Sequence, residues 1–268
     1  LLSVPATDRA FLYGDGLFET LLIVSGRVLW LDLHIDRLAD GARRLRMNLD
    51  SRDVRDAISD TLGTMTGANA ILRVTVSRGS GQRGYAPDLS ARARVTTTHH
   101  SLERPPLDAL PPATVTTSSV VMSHQPLLAG LKHCNRLEQV MAAAEAKDLA
   151  VDDVLLRNER GVYQCSSNAN LFVLRGDRLL TSPCDGSGVL GTRRRFLMET
   201  LAPKLGMTAE EKPLQARDLR EADGLFLSNS VVGVRGISRW DEQDYPPSER
   251  LSALQQSFFS EARQCCAI

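Results

Sequence analysis

The chain has 268 residues, 43% of them hydrophobic and 24% charged, with 32 basic and 32 acidic side chains. That supports a sizeable core in one large or two modest domains, while a formal net charge of zero offers no field for nucleic acid or an anionic membrane surface. No run of about eighteen apolar residues could span a bilayer, and the opening LLSVPATDRA lacks the basic start and apolar core of a signal peptide, so a cytoplasmic protein acting on a small molecule is expected.

The first elements read as strand, strand, helix. GLFETLLIVSGRVLWL (16–31) alternates loosely around a Ser-Gly turn and predicts a hairpin, and LHIDRLADGARRLRM (33–47) carries apolar residues at helical spacing. A second helix is predicted over SRDVRDAISDTLGTM (51–65), with Ser51 as its cap, then strands AILRVTVSRG (70–79) and ARVTTTHHS (93–101). The stretch ERPPLDALPPA (103–113) holds four prolines and is the best linker in the chain. It separates an α+β N-terminal domain, 1–107, from a larger C-terminal domain, 108–268.

Beyond the linker, TVTTSSVVMSHQPLLAG (114–130) carries no charge and delivers Lys132 at the mouth of a helix predicted from Asn135 to Leu149. A lysine at the end of a buried strand and loop has a lowered pKa and can serve as nucleophile or base; the alternative is a snorkelling surface lysine. Four strands follow, DDVLLRN, GVYQCS, NLFVLRG and RLLTS, then a helix near GTRRRFLMETLAPKL, a final strand GLFLSNSV running on to GVRGISRW, and a C-terminal helix from Ser248.

Five cysteines (Cys134, Cys165, Cys184, Cys265 and Cys266) without a C-x-x-C pair read as reduced thiols, and the adjacent His99 and His100 would face opposite sides of a strand, so no metal site is expected. GSGQRG (79–84) fits G-x-G-x-x-G in form only, because YAPDLSARARV after it is a turn and a strand with no helix to open. What it leaves is a loosened loop presenting Arg78, Arg83 and Tyr85, able to make a carboxylate-binding corner; the alternative is a solvated arginine loop. SGVLGTRRRFL (187–197) sets glycines before a helix whose first turn holds Thr192 and Arg193, a cradle suited to phosphate. FLSNSVVG (226–233) ends a strand in Ser228, Asn229 and Ser230, a second possible cradle. A lysine in an apolar setting, two phosphate cradles and carboxylate-binding arginines together match the needs of pyridoxal phosphate and an amino-acid-like substrate.

The chain resembles the fold-type-IV pyridoxal-phosphate enzymes, a family that includes branched-chain and D-amino-acid aminotransferases and aminodeoxychorismate lyases. TDRAFLYGDGLFET (7–20) is similar to the family's N-terminal signature, HIDRL (34–38) to its phosphate-contacting segment, and NANLF (168–172) to the strand beside the cofactor ring. SRGSGQRGY and AGLKHCNRLEQV are most similar to the lyase branch. The resemblance implies a small α+β domain and a larger one around a barrel-like sheet, with the cofactor between them, in a homodimer whose sites borrow residues from the partner. It implies Lys132 as the lysine that bonds the cofactor aldehyde, Arg37 on the phosphate with Thr192, Arg193 and Ser230, and Arg83 with Tyr85 on a substrate carboxylate.

The reaction implied is conversion of 4-amino-4-deoxychorismate to 4-aminobenzoate and pyruvate, with a D-amino-acid or branched-chain transaminase and a non-catalytic pyridoxal-phosphate binder as alternatives. One departure stands out. Relatives place a glutamate five residues before the asparagine of NLF, against the pyridine nitrogen, but here that position is Cys165, with Gln164 beside it. Neither carries a carboxylate, which is expected to favour elimination over transamination.

Overall fold

The computed structural model describes residues 3–267 and divides into two compact units, one reaching to Pro106 and including Leu131–Asn135, the other built from the rest. The second crossing was not legible from the linker: a five-residue piece carrying Lys132 belongs with the first unit.

The first unit opens with a short helix, α1 (Arg9–Tyr13), which the sequence reading missed. Five residues carry no periodicity, but both ends are capped: the Asp8 carboxylate accepts from the Ala10 amide at 2.9 Å, and Gly14 closes the turn at φ 66°. Next come β1 (Gly16–Val24), β2 (Arg27–Val28), α2 (Leu31–Arg44), α3 (Ser51–Thr64), β3 (Ala70–Ser77) and β4 (Arg94–Ser101). The four strands form an antiparallel sheet in the order β2-β1-β3-β4. Leu17, Leu21 and Ile23 of β1 join Ile35 and Leu38 of α2 and Val54 and Ile58 of α3 in one buried cluster, so period 2 on the strand meets period 3.6 on the helices. The cap of α3 is Asp50, not Ser51: its carboxylate accepts from the Arg52 amide at 2.9 Å, and Ser51 is the first helical residue.

The second unit contains β5 (Ala113–Met122), α4 (Leu137–Asp148), β6 (Asp153–Asn158), β7 (Tyr163–Ser166), β8 (Asn170–Arg175) and β9 (Arg178–Thr181). After these come α5 (Thr192–Phe196), a π-helical turn (Leu197–Leu201), α6 (Ala202–Lys204), β10 (Thr208–Glu211) and α7 (Ala216–Arg220). The chain finishes with β11 (Gly224–Asn229), β12 (Gly233–Trp240), β13 (Gln243–Asp244) and α8 (Glu249–Ala267). β8, β11, β12, β5, β6 and β7 neighbour one another in that order, and β7 returns to β8 through Cys165 opposite Asn170, closing six strands into a barrel-like sheet. Leu155, Leu171, Val173, Leu225 and Ile237 fill one cluster, with Trp240 edge-on to Tyr163. GVRGISRW, expected only as a continuation, is a full strand paired antiparallel with β11. Helix α4 begins at Leu137, two residues later than predicted, because Asn135 turns its side chain to donate to the Gly14 carbonyl at 3.1 Å.

Candidate active site

Lys132 is placed by strand pairing rather than by a helix mouth. The Phe18 amide donates to the Lys132 carbonyl at 3.0 Å, the Cys134 amide donates to the Gly16 carbonyl at 2.9 Å, and Leu17 bridges His133. The lysine is thus stitched to the edge of β1, and its ammonium lies 4.3 Å from the centroid of the Phe18 ring. Gly16 makes the approach possible, since a Cβ there would meet the Val76 carbonyl oxygen at 2.8 Å and the Cys134 sulfur at 3.3 Å.

On the same strand Glu19 points among α2 side chains. Its Oε1 accepts from Arg37 Nε at 2.7 Å, its Oε2 accepts from Arg37 Nη2 at 2.6 Å, and His34 Nδ1 lies 2.6 Å from Oε2. Burial alone would push the carboxyl pKa up, but Arg37 and His34, by charge and by hydrogen bonds, outweigh it and hold the group at about 2. Arg37, expected as a phosphate anchor, is therefore clamped in one plane by a buried carboxylate. Glu19 and His34 were missed as functional residues. The available signal was a glutamate and a histidine in otherwise apolar or amphipathic segments, GLFET and HIDRL.

In the second unit, the loop before α5 has the build of a cradle. Gly188 sits at φ +86°, and a Cβ on Gly191 would come within 2.0 Å of Asn170 Oδ1. Asn170 fixes the loop by donating to the Val189 carbonyl at 2.9 Å. Thr192 and Arg193 are both buried, Arg193 at 1% exposure. Ser187 Oγ and Arg194 Nε are buried without a hydrogen-bond partner, which native interiors rarely leave so unless a ligand completes them. In the second cradle the Asn229 side chain is engaged within the protein. Its Oδ1 accepts from the Val231 and Val232 amides at 2.9 Å each, and its Nδ2 donates to Asn168 Oδ1 at 3.0 Å. Asn229 shapes the turn that carries Ser230.

The hairpin at Cys165 and Gln164 also differs from expectation. Leu156 pairs with Cys165 and Arg157 with Tyr163, so Gln164 is the extra residue of a β-bulge, a device that re-aims side chains. Cys165 packs with Met122, Ala142, Ala146, Val154 and Leu156, its sulfur 3.6 Å from that of Met122. Burial pushes its thiol up to about 12, with the neighbouring Cys184 adding to the rise. A thiol so placed packs in an apolar cluster and stays protonated. Gln164 is 3% exposed, and its Oε1 has no hydrogen-bond partner. A Cβ on Gly188 would lie 3.8 Å from that oxygen, so Gln164 looks onto the glycine loop.

Arg83 and Tyr85 ride on an exposed loop of the first unit, Tyr85 at 84% exposure with its ring 5.4 Å from that of Tyr13. The loop is anchored from below. Arg9 donates to the carbonyls of Gly84 at 3.0 Å and Tyr85 at 2.8 Å, and Arg9 and Arg78 both bind Asp15. Burial raises the Asp15 pKa, but the two guanidinium groups more than reverse this and hold the carboxyl below its ordinary value.

Comparison with known proteins adds to this geometry. The chain is 32% identical to an aminodeoxychorismate lyase of Vibrio harveyi, over 88% of this chain and 86% of that one. It is 29% identical to a putative branched-chain-amino-acid aminotransferase of Methanocaldococcus jannaschii, over 86% and 80%. It superposes on the crystal structure of a 4-amino-4-deoxychorismate lyase from Pseudomonas aeruginosa with a TM-score of 0.88 at 31% identity, covering 97% of this chain and 96% of that one. The sequence model for class IV amino-transferases matches residues 16–240, nearly the whole of both units, and the chain belongs to that family.

Proposed function

We propose that the protein is a pyridoxal-phosphate-dependent lyase that converts 4-amino-4-deoxychorismate to 4-aminobenzoate and pyruvate. The cofactor fits the residues present: a lysine at a strand edge, an arginine clamped by a carboxylate, a glycine loop too close-packed for side chains, and buried polar atoms of Gln164, Ser187 and Arg194 that a ligand would satisfy. When bound, pyridoxal phosphate supplies an electron sink conjugated to the substrate nitrogen. Arg37 of the first unit, and Thr192, Arg193 and Ser230 of the second, are the groups that would hold its phosphate. Lys132 is the residue that would bond its aldehyde. Its Nζ would also be the base that takes the proton from the substrate ring carbon that carries nitrogen. The adjacent carbon–oxygen bond breaks as the ring becomes aromatic, and the enolpyruvyl fragment leaves as pyruvate. Arg83, with Tyr85, takes a substrate carboxylate.

The observation that favours a lyase over a transaminase is the neutral pair on β7. Cys165 is packed away and protonated, and Gln164 offers an amide, so neither can keep a proton on the pyridine nitrogen as a carboxylate does. The buried carboxylate of Asp153 accepts instead from the Val154 and Ser167 amides, at 2.8 and 3.2 Å. A carbanion that must persist until a proton reaches the cofactor suffers most from a weak electron sink. One that collapses by losing a leaving group suffers less. Supplying aminodeoxychorismate made in situ should give 4-aminobenzoate and pyruvate in equal amounts. Conversion of the cofactor to its pyridoxamine form by D-alanine or a branched-chain amino acid, with no 4-aminobenzoate formed, would establish the transaminase instead.

A further inference from the structure

Glu19, His34 and Arg37 form a polar cluster where packing alone would place apolar groups. The side chains of Glu19 and His34 are each 1% exposed and that of Arg37 is 14% exposed. Around them the faces of β1 and α2 carry Leu17, Leu21, Ile35 and Leu38. An ion pair in such a place gives up the hydration of both charges, and apolar residues of similar volume commonly stabilise a core as well or better. The cluster is also built for direction. Both carboxylate oxygens of Glu19 engage Arg37, one through Nε and one through Nη2, which fixes the plane of the guanidinium as well as its position. His34 Nδ1 on Oε2 in turn fixes the carboxylate. Arg37 is the member nearest solvent, and Glu19 lies behind it.

We propose that Glu19, braced by His34, is a positioning residue that pre-sets the plane and position of the Arg37 guanidinium for the cofactor's phosphate. This rests on the reading of Arg37 as the phosphate anchor. Charge opposes it in part, because a carboxylate beside Arg37 weakens the pull on a dianion. The gain is preorganisation: the long arginine side chain is already ordered when phosphate arrives, and bidentate capture loses little further freedom. The arrangement sets discrimination between phosphorylated and unphosphorylated forms of the cofactor rather than affinity for its ring.

The test compares pyridoxal phosphate with pyridoxal, each titrated into cofactor-free protein and followed by absorbance. Arg37→Ala should lower the ratio of the two affinities by about tenfold or more, the worth of a charge-assisted hydrogen bond. If it leaves the ratio unchanged, Arg37 is not the anchor and the underlying reading fails. Glu19→Asp keeps every charge but withdraws the carboxylate by one methylene. It should lower the ratio by about threefold to tenfold while pyridoxal affinity stays near that of the unmodified protein. His34→Leu, which removes the brace without touching Arg37, should lower the ratio in the same direction, and His34→Asn, whose amide nitrogen can replace Nδ1, should restore it. If Arg37→Ala collapses the ratio while Glu19→Asp and His34→Leu leave it intact, or weaken both ligands equally, the pair is structural only and the inference is overturned. Should Glu19→Asp fail to fold, the two His34 variants decide the matter alone.

Discussion

Replacing Glu19 by Gln removes one charge from a buried cluster and keeps its shape. The folded-state pKa of about 2, against an ordinary 4.5, gives the ionised carboxyl about 3 kcal/mol of stability at neutral pH, at about 1.36 kcal/mol per unit. Because the folded value is depressed, that stability is complete above the unfolded pKa and is lost as pH falls through the folded one. At pH 3 less than half of it, about 1.4 kcal/mol, should remain. Urea unfolding of the cofactor-free protein and of Glu19→Gln, followed through the transition of the first unit, should differ by about 3 kcal/mol at pH 7 and by about half as much or less at pH 3. A difference under about 1 kcal/mol at pH 7, or one that does not shrink on acidification, would refute the claim that Arg37 and His34 outweigh the burial of this carboxylate.

Borohydride treatment of the loaded protein should fix the cofactor onto Lys132, and a label found on Lys147 or Lys204 would remove that lysine from its role. Gly16→Val should lower stability by about 1–3 kcal/mol and slow cofactor capture, because its side chain would press on the Val76 carbonyl, on Ala10 and on Cys134 beside Lys132; thermal melting and absorbance of the loaded protein read both effects. Arg83→Ala should leave cofactor binding unchanged and raise KM for aminodeoxychorismate, as an exposed arginine with a substrate partner would. Gln164→Glu should increase slow half-transamination of amino acids, measured as pyridoxamine formation. Cys165→Glu should instead destabilise the protein by about 3 kcal/mol or more, since it buries a carboxyl between Met122, Ala142 and Leu156.

Periodic segments were readable from the sequence. β1, β3, β6 and β8 and helices α2, α3 and α4 fall close to their predicted spans: β3 buries alternate residues and α2 and α3 a face at helical spacing, while β1, β6 and β8 are short apolar runs buried on both faces. Elements held by end interactions were not. Helix α1 depends on Asp8 and Gly14, and β10 is four residues with no fully buried position. At the site, Lys132 could be singled out by its uncharged approach, but its attachment to β1 is a long-range pairing that no local pattern encodes. Counting five residues back from Asn170 did reach the residue opposite it, Cys165. The count could not reveal the bulge, which turns Gln164 toward the glycine loop and leaves the thiol in the apolar cluster. Asn229 misled for a related reason: its place after a strand suited ligand binding and turn formation equally, and the turn took both ends of its amide.

The central claim is that this scaffold eliminates rather than transaminates, and the most direct measurement is a partition ratio. Loaded protein is given excess aminodeoxychorismate with no keto acid, and the 4-aminobenzoate released per cofactor is followed together with the absorbance of the cofactor. Many equivalents of 4-aminobenzoate, with the cofactor retaining its aldehyde-derived absorbance throughout, is the expected result. Conversion of the cofactor to the pyridoxamine form with little or no 4-aminobenzoate released would contradict the account.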